Sequence, residues 1–312
     1  KFIATASSDH TAGIWNTTDG SLQFMLSGHT DLVNTVKFSP DERFLLTTSW
    51  DNTAAVWSVE SGNRICSLEG HDSVIQSADI SPDSRYIVTG SWDNKAIVWD
   101  AITGKAIRKL DGHTDKIRQV AFSPDGEKIL TASWDKHAII WRAGDGQLLF
   151  RLNNHHSLIH SAGFNNDGSL VATGSMDNTA IIWNVSEGKP LHHLRGHSKS
   201  IYQVTFSPDG KTLATASWDN RVNIWEVASG HLLSTLEGHT EPVTAVGFHP
   251  EGKQMVTVSE DNTLRKWQVP EGDLLYTLYV AKGRDYLILD KAGRYDGTPG
   301  ARGLLYYVCG NE

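Results

Sequence analysis

Residues Gly28–Glu69 read GHTDLVNTVKFSPDERFLLTTSWDNTAAVWSVESGNRICSLE, and Gly70–Asp111 read GHDSVIQSADISPDSRYIVTGSWDNKAIVWDAITGKAIRKLD. The two stretches share Gly-His at the head, Ser-Trp-Asp-Asn in the middle and a second Trp six residues past the Asp. The offset between them is 42 residues, and it runs through the chain. Tryptophan recurs at Trp15, Trp57, Trp99, Trp141, Trp183, Trp225 and Trp267. Aspartate recurs at Asp9, Asp51, Asp93, Asp135, Asp177, Asp219 and Asp261, and histidine at His29, His71, His113, His155, His197 and His239. No insertion or deletion interrupts either series. A strict period of this length marks an array whose units are each one supersecondary piece, stable only when stacked.

Each unit holds four β-prone runs, Val33–Phe38, Phe44–Ser49, Thr53–Val59 and Ile65–Leu68 in the second, here named a, b, c and d. Ser39-Pro40-Asp41, Asp51-Asn52 and Ser61-Gly62-Asn63 separate them. Gly tolerates positive φ, and Asp and Asn hydrogen-bond their own backbone, so these are hairpin turns. No helical periodicity competes. Residue 1 falls at strand b, so the first unit lacks strand a. Six periods beyond Val33–Phe38 lies Asp285–Asp290, Asp-Tyr-Leu-Ile-Leu-Asp. The expectation is that this segment supplies the missing strand, pairs with the N-terminal unit and closes a ring, which protects strand edges from aggregation.

Hydrophobic residues make up 39% of the 312, which suits a packed core. No apolar run approaches the roughly 18 residues of a membrane span. The start, Lys1-Phe2-Ile3-Ala4-Thr5, is not a signal peptide, and the chain reads as cut from a longer, multidomain one. Two cysteines, Cys66 and Cys309, cannot make a disulfide framework or a thiolate metal site; a reducing compartment, the cytoplasm, is expected. The net charge of −8 argues against nonspecific nucleic-acid binding.

Gly-His, Ser-x-Asp and the spaced Trp resemble the WD-repeat signature over residues 1–290. The family's Asp after the Trp survives only in Trp99-Asp100; elsewhere Asn16, Ser58, Arg142, Asn184, Glu226 or Gln268 stands there. The resemblance implies an all-β, seven-bladed β-propeller of four-stranded antiparallel blades over residues 1–294. Residues 295–312 would then be a tail that packs on the rim or leads to a further domain. It also implies a hydrogen-bonded set in each blade: His, a strand b hydroxyl, the turn Asp and the strand c Trp. Carried over, these sets are His29, Thr47, Asp51, Trp57; His71, Thr89, Asp93, Trp99; His113, Thr131, Asp135, Trp141; His155, Thr173, Asp177, Trp183; His197, Thr215, Asp219, Trp225; and His239, Thr257, Asp261, Trp267. A buried carboxylate is costly unless its oxygens receive hydrogen bonds, and imidazole, hydroxyl and backbone N–H supply them. Ser, His and Asp together invite a catalytic reading, but a nucleophile site occurs once and this set recurs in blade after blade. Its role is structural, and no catalytic residue is assigned. Asn154 replaces the Gly before His155, and the closing blade has Ala281 at the histidine position, so that blade should be the softest.

Subtraction locates what varies. Of eleven tryptophans, seven belong to strand c, and the other four are Trp50, Trp92, Trp134 and Trp218. Each stands directly before the turn Asp, where the remaining repeats have Ser8, Met176 and Glu260. Such rings either pack against the neighbouring blade or form an aromatic crescent at the channel mouth on the top face. Trp dominates binding hot spots because it buries much area at little entropic cost. The resemblance implies that this position and the start of strand a touch partners. The start of strand a reads Asn34, Gln76, Arg118, His160, Tyr202, Thr244 and Tyr286. The expected recognition surface is therefore Trp50, Trp92, Trp134, Met176 and Trp218 with Arg118, His160, Tyr202 and Tyr286. Lys116 and Arg118 lie together beside Trp134, either solvated or available to a carboxylate or phosphate.

His192 and His193 would point to opposite faces of a strand, so no metal site is expected. Asp209-Gly210-Lys211-Thr212 lacks the glycine of a phosphate loop, and no cofactor is expected. The function read from the sequence is a monomeric scaffold or sensor module that binds a protein or peptide partner, with no nucleic acid and no membrane. A small-ligand or modified-peptide binder at the channel mouth is the alternative. A hydrolase would need a singular cluster of acids or histidines, which the sequence lacks.

Overall fold

A computed structural model describes residues 1–280 and 285–303. The second repeat forms four antiparallel strands, Val33–Phe38, Phe44–Ser49, Ala54–Ser58 and Arg64–Leu68, paired in chain order. Strands a and b match the expected runs. Strand c is shorter than expected because Thr53 belongs to the turn, where its N–H and hydroxyl bond to Asp51 at 2.9 and 2.6 Å.

Burial is greatest in the two middle strands and lower in strands a and d. Strand b is buried throughout, strand c nearly so, and strand d mostly exposed until Leu68. A strand covered on both faces needs apolar residues at consecutive positions rather than alternate ones, and Phe44-Leu45-Leu46 provides them. The core lies between consecutive sheets. Phe44, Leu46, Val56 and Leu68 of the second blade pack on Ile75, Ile80, Ile87 and Trp99 of the third. Val88, Val98 and Leu110 of the third pack in turn on Ile117, Val120, Ile129 and Trp141 of the fourth. The pairing of strands c and d slips by one residue beside the tryptophan at Trp15, Trp57, Trp99, Trp141, Trp225 and Trp267. Such a bulge bends the strand locally and increases its twist.

The described residues make seven sheets. The fold is all-β, a seven-bladed β-propeller. Five of the sheets have four strands; the first has three (Phe2–Ala6, Thr11–Asn16, Leu22–Ser27) and the seventh has six. Two compact units are distinguished: Lys1–Thr173 with Trp183–Pro190, and Gly174–Ile182 with the chain from Leu191 onward.

The expected closing strand is not where the period puts it. Tyr286–Asp290 pairs antiparallel with strand d of the seventh blade, from Tyr276↔Asp290 to Val280↔Tyr286. Tyr295–Gly297 then adds a further strand outside it. The physical reason is locality. Strand d, Asp273–Val280, presents an open edge only a short connection before Tyr286, and closing a short loop costs less entropy than recruiting a strand from the other end of the chain. The first sheet therefore keeps three strands, and Ile3 is 56% exposed where its repeat equivalent Leu45 is fully buried. Ala281, Cys309 and Leu304–Val308 lie outside the described residues.

Candidate functional site

The turn between strands b and c organises each blade. Asn52 has φ +69°, in the left-handed region that Asn tolerates better than most residues. Equivalent Asn94, Asn178, Asn220 and Asn262 share it, while Lys136 and His10 adopt it without that advantage. The Asp51 N–H donates to Ser49 Oγ at 3.1 Å. One Asp51 oxygen accepts from Thr53; the other accepts the Thr30 N–H and the His29 Nδ1–H, both at 2.9 Å. His29 Nε2 lies 2.8 Å from Thr47 Oγ1, which also accepts the Trp57 indole N–H at 2.9 Å. With Asp51 ionised, the proton on the neutral imidazole belongs on Nδ1. The Thr47 hydroxyl then accepts from the indole and donates to Nε2, so every buried polar group has a partner.

Four further blades repeat the contacts of His29 with Asp51 and Thr47. The His–Asp contacts of His71, His113, His197 and His239 measure 2.8–2.9 Å. Their His–Thr contacts measure 2.7–2.8 Å. In the fifth blade His155 and Trp183 meet Thr173 at 2.8 and 2.9 Å, and Asp177 accepts from Thr179 at 3.0 and 2.6 Å. Burial alone would raise the carboxyls of Asp93 and Asp135. The hydrogen bond and charge of His71 and His113, helped by turn N–H groups, reverse this and hold both at about 2. Asp219 is lowered in the same way by His197, whereas Asp51 and Asp261 are lowered against burial first by the hydroxyls of Thr53 and Thr263, with His29 and His239 adding hydrogen bonds. In the first blade Trp15 still donates to Thr5 at 2.8 Å, but Asp9 has only its own turn, Ser7 and Thr11, around it.

The turn tryptophans of the first unit touch one another. Trp50 and Trp92 have ring centroids 5.8 Å apart, and Trp92 and Trp134 6.1 Å. Their backbone N–H groups bond at 2.9 Å to the carbonyls of Leu32, Val74 and Lys116, tying each b–c turn to the preceding d–a connection. The Lys116 ammonium lies 4.2 Å from the Trp92 centroid and 5.0 Å from that of Trp134. It is neither simply solvated nor turned toward a carboxylate; it is held by two aromatic faces. Packing and exposure coexist in this row. Trp92 and Trp134 are half-buried, whereas Trp50 is 41% exposed.

Arg118 and His160 are half-buried in the same unit. Burial, and then the Arg118 charge, hold His160 at about 4, so it is neutral at physiological pH. In the second unit Trp218 stacks on Tyr202 at 6.3 Å and is 38% exposed, and Met176 is half-buried. Tyr286 starts no strand a; it opens the strand added to the seventh blade. His192 bonds the Ala228 carbonyl at 3.1 Å while His193 is exposed. Among the described residues no group of three His, Cys, Asp or Glu could hold a metal ion.

The model of the WD domain, G-beta repeat, matches residues 20–58, 62–100, 104–142, 146–184, 188–226 and 230–268. The chain belongs to the WD-repeat family. No curated protein matches it. Among the described residues no helix is long and apolar enough to cross a membrane.

One residue of this WD-repeat chain escaped the sequence reading. Asp79, 8% exposed, accepts the Phe122 N–H at 2.8 Å, the Ile80 N–H at 2.8 Å and the Lys37 ammonium. A single carboxylate thus joins strands a of the second, third and fourth blades. The period places Lys37, Ala121, Gly163, Thr205 and Gly247 at its equivalents. The subtraction that isolated the tryptophans would have isolated this acid too.

Proposed function

We propose that this WD-repeat protein is an interaction scaffold or sensor module that binds a protein or peptide partner through its turn tryptophans. WD-repeat propellers are commonly protein-interaction scaffolds, though fold alone does not set function. The observation that carries the reading is the contact row Trp50, Trp92 and Trp134, made from every tryptophan of the first unit that the blade network does not use. Large, stiff, partly exposed side chains of this kind form binding hot spots. Trp218 on Tyr202 offers a similar element in the second unit. Arg118, His160 and Met176 vary between blades where the framework does not, which suits partner-specific contacts. A cage for a free alkylammonium between Trp92 and Trp134 is disfavoured, because Lys116 fills it. The repeated His–Asp–Thr sets are used by the blades themselves, so the reading is non-enzymatic. Cys66, a free thiol, suits a reducing compartment such as the cytoplasm.

A pull-down from a native extract tests this, with the wild type beside a Trp92→Ala, Trp134→Ala variant whose folding is verified by circular dichroism. The variant is expected to lose its specific partners by roughly tenfold or more, the scale of hot-spot truncation. Partners retained at wild-type levels by the folded variant would move recognition away from these turns.

A further inference from the structure

Trp50 differs from the other two members of the row. The face shared by Trp92 and Trp134 is taken by Lys116. By period, the residue equivalent to Lys116 beside Trp50 is Leu32. Among the described residues no cation lies over Trp50, and it is the most exposed tryptophan of the chain at 41%.

An exposed acid, Asp31, belongs to the d–a connection that holds the Trp50 backbone. The Asp31 carbonyl accepts the Ser49 hydroxyl at 3.0 Å, and the Leu32 carbonyl accepts the Trp50 N–H at 2.9 Å, so the backbones of Asp31 and Trp50 meet at one junction of a d–a connection with a b–c turn. Its side chain accepts only the N–H of Leu32, at 2.7 Å, and makes no ion pair among the described residues. Glu69 and Asp111, in later d–a connections of the same unit, are exposed too. An open indole face beside a carboxylate attracts a cationic side chain by quadrupole and charge together. Lys116 on Trp92 and Trp134 shows the same chemistry within this chain.

We propose that Trp50 and Asp31 form a cation subsite, and that the partner segment seated on the tryptophan row carries a Lys or Arg that enters it. This rests on the reading of the row as a recognition surface. Trp218 differs in the charge at the equivalent position. It is nearly as exposed, but its flanking position is Lys199, whose carbonyl accepts the Ser217 hydroxyl at 3.1 Å as Asp31 does for Ser49. Like charge there disfavours a cation.

The test titrates end-blocked octa-arginine, octa-lysine and octa-glutamate into the full chain, following tryptophan fluorescence at low salt. The basic peptides are expected to bind saturably and the acidic one not to bind. Trp50→Ala and Asp31→Asn should each weaken basic-peptide binding by about two- to fivefold, the scale of an exposed cation–π or ion contact. Asn at 31 keeps an acceptor for the Leu32 N–H, so its effect reports charge. Equal binding of octa-glutamate, or indifference to Trp50→Ala or to Asp31→Asn, overturns the subsite. If extract partners still require Trp92 and Trp134 while basic peptides ignore Trp50, the recognition reading stands and the cation subsite alone falls.

Discussion

Asp135→Ala is expected to destabilise the chain by about 3 kcal/mol, the low end for breaking a buried, hydrogen-bonded pair. The carboxylate is 3% exposed and its histidine fully buried. It accepts from His113 at 2.8 Å and from the N–H groups of Thr114 and His137, both at 3.0 Å. Alanine leaves all three donors in place without an acceptor, and each such group costs on the order of 1 kcal/mol or more. The damage spreads, because His113 orders the Thr131 hydroxyl that receives the Trp141 indole. Asp9→Ala is the contrast: Asp9 is exposed and accepts only within its own turn, so its loss should leave the unfolding midpoint close to that of the wild type. Urea unfolding of the two variants measures both. The same carboxyl sets a pH dependence. Its folded-state value of about 2 lies below the ordinary 3.8. The stabilisation is therefore complete above the ordinary value and is lost as pH falls through the folded one. Asp135→Asn should flatten that part of the acid-unfolding curve.

Asp79→Ala is expected to cost about 2–3 kcal/mol, from a buried backbone donor left without its acceptor and a lysine left without its counter-ion. Phe122 N–H is buried and has the Asp79 carboxylate as its acceptor. Lys37 can still reach water, since its side chain is 48% exposed, which keeps the loss below that of a fully buried pair. Chemical denaturation measures it. A loss under about 0.5 kcal/mol would mean that the three blades hold together without this carboxylate.

The blades were legible because each solves one problem in the same way. The period located a Trp, a Thr, a His and an Asp at fixed offsets, and the resemblance to the WD-repeat signature implied that they bond to one another, as His29 does with Asp51. The tryptophan row was legible as an exception to that period. The end of the chain was not. Asp285–Asp290 sits at the right offset for strand a, but it carries none of the turn residues that force a pairing, and a neighbouring open edge took it. The contact of Lys116 with the tryptophans was not legible for a different reason. The flexible Lys116 side chain reaches across two turns to the Trp92 face, a contact between repeats that a one-dimensional offset does not show. Asp79 shares that cause, since its partners Lys37 and Phe122 come from the two adjacent repeats.

The central claim is that strand tryptophans hold the blades while turn tryptophans meet a partner. Hydroxyl-radical footprinting, with and without the partner recovered in the pull-down, reads both roles in one measurement. In the free protein Trp50 and Trp218 should oxidise readily while Trp57, Trp99, Trp141 and Trp225, all under 5% exposed, resist. Partner binding should then protect Trp50 and leave the strand tryptophans unchanged. Trp50 oxidised at the same rate in the complex, with protection falling instead on the a–b turns such as Ser39–Arg43, would contradict it.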